Sequence, residues 1–311
     1  MKALLRELLY PIPSDLRRRH TQGDTERVRA ALVDHYFQGW RSKDSTTDAT
    51  YQRDLDKTLC SRLAADRRFV IPWLNSARPL DGLRVLEIGC GTGPSTVALA
   101  EQGAVVTGID VDPATVAVTR ERCAAHNVSA TMHVANGESV KEYGEHDLVI
   151  YYATFEHMTI DERLKSLAES WSILPRGGML AIVETPDRLW FFDEHTSQLP
   201  FFHWLPDDLA FRYSRYSPRV AFNDLYRDLT SDALEHFLRR GRGASYHEFE
   251  IAIAPAADLQ VVSSLLGYFG WRKTLRQPRV ALRFKKFLRE SRPDLHEGWF
   301  EKDLDLIVRK T

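Results

Sequence analysis

The sequence predicts an α/β fold of the doubly wound kind, a mostly parallel sheet covered by helices on both faces. Three observations carry this. Between residues 84 and 184, short apolar runs alternate with stretches of helical length. The runs are hydrophobic throughout, as in strands buried on both faces, and do not alternate with polar residues. A turn with three glycines follows the first run directly, where such sheets place their ligands.

Each element follows from its residues. RVLEIG, 84–89, is an apolar run closed by a glycine and reads as a buried parallel strand. In CGTGPSTVALAEQG, Pro94 and Ser95 suit a first helical turn, Val97, Ala98, Leu99 and Ala100 continue it, and Gly103 closes it. AVVTGID is the second strand and ends in Asp110. DPATVAVTRERCAAHN is the second helix, with Asp112 as N-cap and Pro113 at its first position. The pattern repeats as a strand over 129–134, the strand DLVIYY at 147–152, a helix over 160–173 and the strand GMLAIVE at 178–184. Ahead of these, residues 1–80 read as mostly helical, since RVRAALVDHYFQGW and DKTLCSRLAADRRFVIPWL space apolar residues as a helix does.

The bulk numbers narrow the class of function. A chain of 311 residues, 43% hydrophobic and 27% charged, can bury a full core as one large domain or a domain with an insertion. A net charge of −1 leaves no nucleic-acid footprint, so no such partner is expected. The three cysteines, Cys60, Cys90 and Cys123, are few and far apart. They argue against a disulfide framework or a zinc cluster and fit a reducing, cytoplasmic setting. The first apolar run is broken by Arg6 and Glu7, unlike a signal peptide, and no window of membrane-spanning length is apolar. Charge is nonetheless uneven: Arg272 to Arg289 holds eight Lys or Arg and no acid, and Arg17, Arg18 and Arg19 form a second cluster. Such a segment is either a solvated face or a site for a phosphate-bearing ligand or an anionic membrane surface.

Gly89, Gly91 and Gly93 stand at the end of the first strand, where glycine lets a ligand approach the main chain. Asp110, ending the second strand, is placed to accept hydrogen bonds from two ribose hydroxyls, so a nucleoside site is expected. A dinucleotide fingerprint needs glycine at position 94, which is Pro94; the spacing is G-x-G-x-G, and Glu87 stands inside the strand before it. VLEIGCGTG followed by GIDVDP resembles the class I S-adenosylmethionine-dependent methyltransferases, and among them the ubiquinone- and menaquinone-type small-molecule enzymes. The resemblance covers about 80–185, and extends to DLDLIVRK at 303–310 as that family's final antiparallel strand. It implies a seven-stranded Rossmann-like sheet and S-adenosyl-L-methionine as cofactor. It further implies that Glu87, Gly89, Gly91 and Gly93 surround the amino-acid end of the cofactor, that Asp110 holds the ribose and that Val111 lies against adenine. Glu138, in NGES where the family has Gly-Asp-small, would bond the adenine amino group. Helices before the first strand often cover the cofactor in this family, a role open to Tyr36, Phe37 and Trp40, which equally suit a core.

Methyl transfer is a single displacement on a sulfonium, so alignment does much of the work. An oxygen acceptor gains further from a general base. The candidates are histidines and carboxylates. Glu156 and His157 in YYATFEHM follow the fourth strand. Similar FEHM or LEHV segments occur in ubiquinone-type methyltransferases, some amine N-methyltransferases and cyclopropane fatty-acid synthases; the residues equally suit bracing the next helix. TPDRLWFFDEHTSQLPFFHWLP, 185–206, offers an Asp193–His195 pair and His203. Its Trp190, Phe191, Phe192, Phe201, Phe202 and Trp204 read either as a substrate lid or as plain packing. No compact spacing there supports a metal site, and none is expected. In RGRGASYHEFEIAI, 240–253, Ser245 and Glu248 form a capping box with His247 in the first turn.

The expected organisation is an N-terminal helical cap over 1–80, a cofactor-binding core over 81–185, a substrate-recognition insertion over 186–270, and a basic segment with the final strand over 271–311. The expected activity is O-methylation of a small molecule, with a sugar-containing, glycan or lipid-linked acceptor suggested by the basic segment, which also offers a peripheral membrane contact. N- or C-methylation, including cyclopropane-synthase-like lipid modification, and a non-catalytic binding protein are the alternatives.

Overall fold

The computed structural model describes residues 7–38, 49–219, 222–223, 226, 229–270 and 277–311. Seven strands form one mixed sheet in the order β3-β2-β1-β4-β5-β7-β6. They are β1 Arg84–Ile88, β2 Val105–Asp110, β3 Ala130–Val134, β4 Leu148–Tyr152, β5 Met179–Pro186, β6 Gln260–Ser264 and β7 Asp303–Arg309. β1 pairs with β2 and β2 with β3 in parallel, Arg84 opposite Val105 and Val106 opposite Ala130. β7 runs antiparallel to β6, with a bulge at Val261 to Ser263. The α/β class, the seven-stranded sheet, the five strands read between 84 and 184 and the final strand at 303 all match expectation; β6, inside the stretch 186–270, was the one strand the sequence did not locate.

The chain divides into two compact units, one of 1–150 with 173–179 and one of 151–172 with 180–311. In the first, α1 spans Pro94–Glu101 and α2 spans Pro113–Ala125. Pro opens each helix, where its missing N–H costs nothing. Asp112 caps α2 by accepting from the Ala114 amide at 2.9 Å. Before β1 the chain is helical over Thr25–Ala31 and from Ala49 to Ala77, interrupted by wider π-type turns at Leu32–Tyr36, Lys57–Ser61 and Asp66–Val70. Val28, Leu32, Phe37, Tyr51, Leu55 and Leu59 form one buried cluster with Val118 and Ala125 of α2. Phe37 is therefore core and Tyr36 packs partly against it; Trp40 lies outside the described residues. Arg122 of α2, fully buried, donates to the carbonyls of Leu59, Thr58 and Thr92 at 2.9, 2.9 and 2.7 Å, tying these helices to the glycine turn.

In the second unit, α3 spans Ile160–Ile173, apart from its last residue, α4 spans Tyr246–Ala252 and α5 spans Arg279–Ser291. The capping box of Ser245 and Glu248 is present at the start of α4. Leu199, Phe202, Phe211, Phe222, Tyr226 and Phe237 form an aromatic-rich core. The three cysteines are free, Cys90 and Cys123 buried and Cys60 exposed. Among the described residues no helix is long and apolar enough to cross a membrane.

Candidate active site

In the first unit the glycine turn is built by hydrogen bonds from both sides. Gly89, Gly91 and Gly93 have φ of 77°, 53° and 83°, a region closed to most side chains. A Cβ on Gly93 would meet Thr119 Cγ2 at 2.8 Å, so that glycine is required by packing on α2. A Cβ on Gly91 would meet nothing within 4 Å, so that glycine faces open space. The Gly91 amide donates to Asp110 Oδ2 at 2.9 Å, and its carbonyl accepts from Thr119 Oγ1 at 2.7 Å. Asp110 Oδ1 accepts from the Asp112 amide at 3.0 Å. Each Asp110 oxygen thus accepts one hydrogen bond from the main chain and has a second lone pair. Val111 beside it is 67% exposed, an apolar side chain turned to solvent. Glu138 sits in the turn after β3, with Asn136 Nδ2 donating to its carboxylate at 3.2 Å.

Glu87 turns its carboxylate toward the start of α1. It is fully buried, and its carboxylate accepts from Ser95 Oγ and, at 2.5 Å, from Thr96 Oγ1, both in the first turn of α1. It therefore orients the helix that follows the glycine turn. Burial raises its pKa to about 7 against the pull of the two hydroxyls. The folded carboxyl keeps its proton up to that pH while the unfolded one releases it near 4.5. Stability from this group is therefore complete below pH 4.5 and declines as pH rises to about 7, by roughly 3 kcal/mol in all. Glu87→Gln is expected to abolish that decline, so urea midpoints of the two proteins measured between pH 4.5 and 8 should converge or cross as pH rises.

The second unit gathers a carboxylate and two imidazoles. Ala153, just beyond β4, has φ of 46°, a strained angle for a residue with a Cβ, and the chain then turns into Phe155–His157. Glu156 is fully buried. Its Oε2 accepts from Thr185 Oγ1 at 3.1 Å, and among the described residues its Oε1 has no hydrogen-bond donor. His157 Nε2 and His195 Nε2 each stand 3.7 Å from that oxygen. Burial raises the pKa of Glu156. The protein around His195, and then the neighbouring His157, lower the pKa of His195 to about 4, so its ring is neutral at physiological pH.

Asp193 does not pair with the His195 ring, as the sequence suggested. The two are too close along the chain, and Asp193 turns inward to cap its own loop. Its oxygens accept from the amides of His195, Thr196 and Ser197, and Oδ1 lies 3.3 Å from His203 Nε2. His203 is buried, and its Nδ1 accepts from the Gly243 amide at 3.1 Å, which places the ring proton on Nε2, facing Asp193. Burial opposes the charge of Asp193, but His203 and the amides prevail and its pKa falls. His247 stacks on Tyr246 with ring centroids 4.0 Å apart and meets Ser245 Oγ.

Of the aromatic stretch, Trp190 and Phe202 are buried, while Phe192, Phe201 and Trp204 are 37%, 48% and 44% exposed. Trp190, Phe191 and Trp204 all contact Phe284 of α5.

One residue that sequence reasoning missed holds this region together. Arg163 of α3 is buried and donates to the carbonyls of Met158, Gly243, Glu156 and Arg242 at 3.0, 3.1, 3.1 and 2.5 Å, and lies 3.5 Å from Glu248. Arg242, also buried, sends its amide to the Glu156 carbonyl at 2.9 Å and its guanidinium to the carbonyls of Phe202 and Leu205.

Sheet, glycine turn and acid-ended β2 together are those of a class I S-adenosylmethionine-dependent methyltransferase, and the chain belongs to that family. A family model described as a methyltransferase domain matches residues 85–178. The chain is 31% identical to a ubiquinone biosynthesis O-methyltransferase of Rhizobium leguminosarum bv. trifolii (strain WSM2304), over 71% of this chain and 83% of that protein. It is 48% identical to a cypemycin N-terminal methyltransferase of a Streptomyces species over a short stretch, 17% of this chain and 21% of that protein. Among solved structures, magnesium protoporphyrin IX methyltransferase from Synechocystis PCC 6803 matches with a TM-score of 0.39 and 22% identity, over 54% of this chain and 78% of the other. The chain is thus an S-adenosylmethionine-dependent methyltransferase. The open face at Gly91 and the unspent lone pairs of Asp110 fit that cofactor.

Proposed function

We propose that this methyltransferase acts on a hydroxyl of a small molecule, and that the acceptor is a sugar-containing, glycan or lipid-linked metabolite. The observation that carries the oxygen acceptor is the pair of imidazole nitrogens facing the buried Glu156 carboxylate. An amine or thiolate needs little beyond alignment, whereas a hydroxyl gains about 10²- to 10⁴-fold from groups that take up its proton. The name of the Rhizobium relative supports the same chemistry.

When bound, S-adenosylmethionine supplies a methyl group on a positively charged sulfur, open to attack by a nucleophile. Gly89, Gly91 and Gly93 give its amino-acid end close access to the main chain. Asp110 accepts from the ribose hydroxyls, Val111 covers the adenine and Glu138 accepts from the adenine amino group. Glu87 acts at one remove, by fixing α1. In the second unit the lone pairs of Glu156, His157 and His195 promote loss of the acceptor's proton, and His203 holds the His195 loop through Asp193. Residues 1–80 serve as a cap, 81–185 as the cofactor core, 186–270 as the acceptor-recognition region and 271–311 as the basic segment and closing strand.

The test is transfer of labelled methyl from the cofactor into a host cell extract, separated into lipid, polysaccharide, protein, nucleic-acid and small-metabolite fractions, with Gly91→Arg as control. Label is expected in the lipid, polysaccharide or small-metabolite fraction; label confined to protein or nucleic acid would reject the reading. With the acceptor in hand, His157→Ala and His195→Ala are each expected to lower kcat by about 10²- to 10⁴-fold and leave cofactor affinity unchanged. A second reading, N-methylation, rests on the name of the Streptomyces relative; it predicts an amine product whose rate is indifferent to both histidines.

The same reading places the protein in the cytoplasm, with peripheral contact to anionic membranes through the basic segment. Residues 272–276 of that segment lie outside the described residues. On α5, Arg279, Arg283, Lys286 and Arg289 are exposed beside Val280 and Phe287, each 59% exposed. Lys285 is paired with Glu301, and Arg289 reaches Glu297 at 3.1 Å. Pelleting with vesicles rich in anionic lipid is expected at low salt, to weaken as salt rises, and to fall in Arg279→Glu/Arg283→Glu/Lys286→Glu.

A further inference from the structure

The two imidazole nitrogens that face Glu156 Oε1 are both acceptors. His157 Nδ1 lies 2.8 Å from the Arg239 carbonyl, which can only accept, so the ring proton sits on Nδ1 and Nε2 presents a lone pair. His195 Nδ1 lies 3.1 Å from Thr196 Oγ1, whose single proton is donated to the Gly241 carbonyl at 2.8 Å. Nδ1 of His195 must therefore donate as well, and its Nε2 also presents a lone pair. Glu156 Oε1 adds a third: its side chain is fully buried, and among the described residues nothing donates to that oxygen. The three atoms lie within 4.8 Å of one another.

Three lone pairs facing one another call for something positive between them. A proton on Glu156 does not bridge them, because 3.7 Å to either nitrogen exceeds hydrogen-bond length. We propose that Glu156, His157 and His195 bind one divalent cation, Zn²⁺ or a first-row ion of similar ligand preference. Ligands at 2.0–2.2 Å from a tetrahedral zinc are roughly 3.3–3.6 Å apart, close to the two distances present here. Two imidazoles and one carboxylate are a recurrent donor set, and each imidazole has the outer acceptor that fixes its tautomer, a carbonyl for His157 and a hydroxyl for His195. The imidazole side chains are 43% and 38% exposed, which leaves the ion a side open to a water or an acceptor oxygen. The sequence does not announce the set, because two ligands are adjacent and the third is dozens of residues away.

The inference rests on reading this cluster as the acceptor end and changes its means. An ion there lowers the pKa of a bound hydroxyl, and the imidazoles hold the ion instead of taking the proton.

The experiment uses the full-length protein, stripped with a chelator and titrated with Zn²⁺ by calorimetry, and with Co²⁺ followed by its visible spectrum. One equivalent of Zn²⁺ is expected to bind, and Co²⁺ should show the intense bands of a low-coordinate site. His195→Ala and Glu156→Gln should each weaken Zn²⁺ by more than about 100-fold. Thr196→Val, which spares the ligands, should weaken it by about 10- to 100-fold, and His247→Ala should leave it unchanged. Absence of stoichiometric binding, or binding undiminished in His195→Ala, overturns the cation site; if His157→Ala and His195→Ala still impair methyl transfer, the acceptor-end reading stands without it. If Zn²⁺ binds and His195→Ala abolishes binding with turnover unaltered, the cation site stands and the acceptor-end reading falls.

Discussion

Arg163→Met is expected to lower unfolding stability by about 3–5 kcal/mol, the range for removing one partner from a buried charged network. Arg163 supplies donors to four carbonyls and lies beside Glu248, and methionine fills the space without replacing any donor. Two of those carbonyls belong to Glu156 and Arg242, so the damage reaches the carboxylate and His157 next to it. Urea unfolding gives the stability, and turnover at saturating cofactor gives the effect on the site. Turnover should fall while cofactor affinity holds, since the residues assigned to the cofactor belong to the other unit. Arg163→Lys should recover only part of both, because an ammonium cannot span the donor positions of a guanidinium.

Asp110→Ala should weaken S-adenosylmethionine by at least about 100-fold in a calorimetric titration. Two hydrogen bonds to a charged oxygen, at about 1.5–3 kcal/mol each, account for that much. Asp110→Asn should be nearly as harmful despite its matching shape. Both carboxylate oxygens accept from backbone amides, of Gly91 and Asp112, so an amide side chain must turn an NH₂ toward one of them. An alanine variant with affinity close to the native protein would show that Asp110 does not hold the ribose.

What could be read in the sequence was local. A buried strand, a proline-opened helix and a capping aspartate are each set by neighbours within a few residues, and each formed where its residues predicted. The place of Asp110 at the end of β2 was legible for the same reason, as the last residue of an apolar run. Glu87 shows the limit: its place in β1 was clear, but its partners Ser95 and Thr96 become visible only once α1 packs back on the strand. Asp193 was matched to His195 by proximity along the chain, whereas the loop turns it toward His203. Arg163 carried no signal of its own in the sequence; its partners at Arg242 and Gly243 come from far along the chain, beyond the reach of periodicity. β6 was hidden because QVVSS is short and its burial only partial.

The order of strands also bears on how the molecule is made. β7 lies between β5 and β6 in the sheet, although β6 precedes it in the chain. During synthesis β6 leaves the ribosome before its neighbour β7 exists, and its backbone donors and acceptors wait unpaired for a few seconds at roughly 5–20 residues per second. That interval is when a newly made chain can pair with another chain through an open strand edge. Yield in a translating extract should therefore suffer most from changes that slow elongation between β6 and β7.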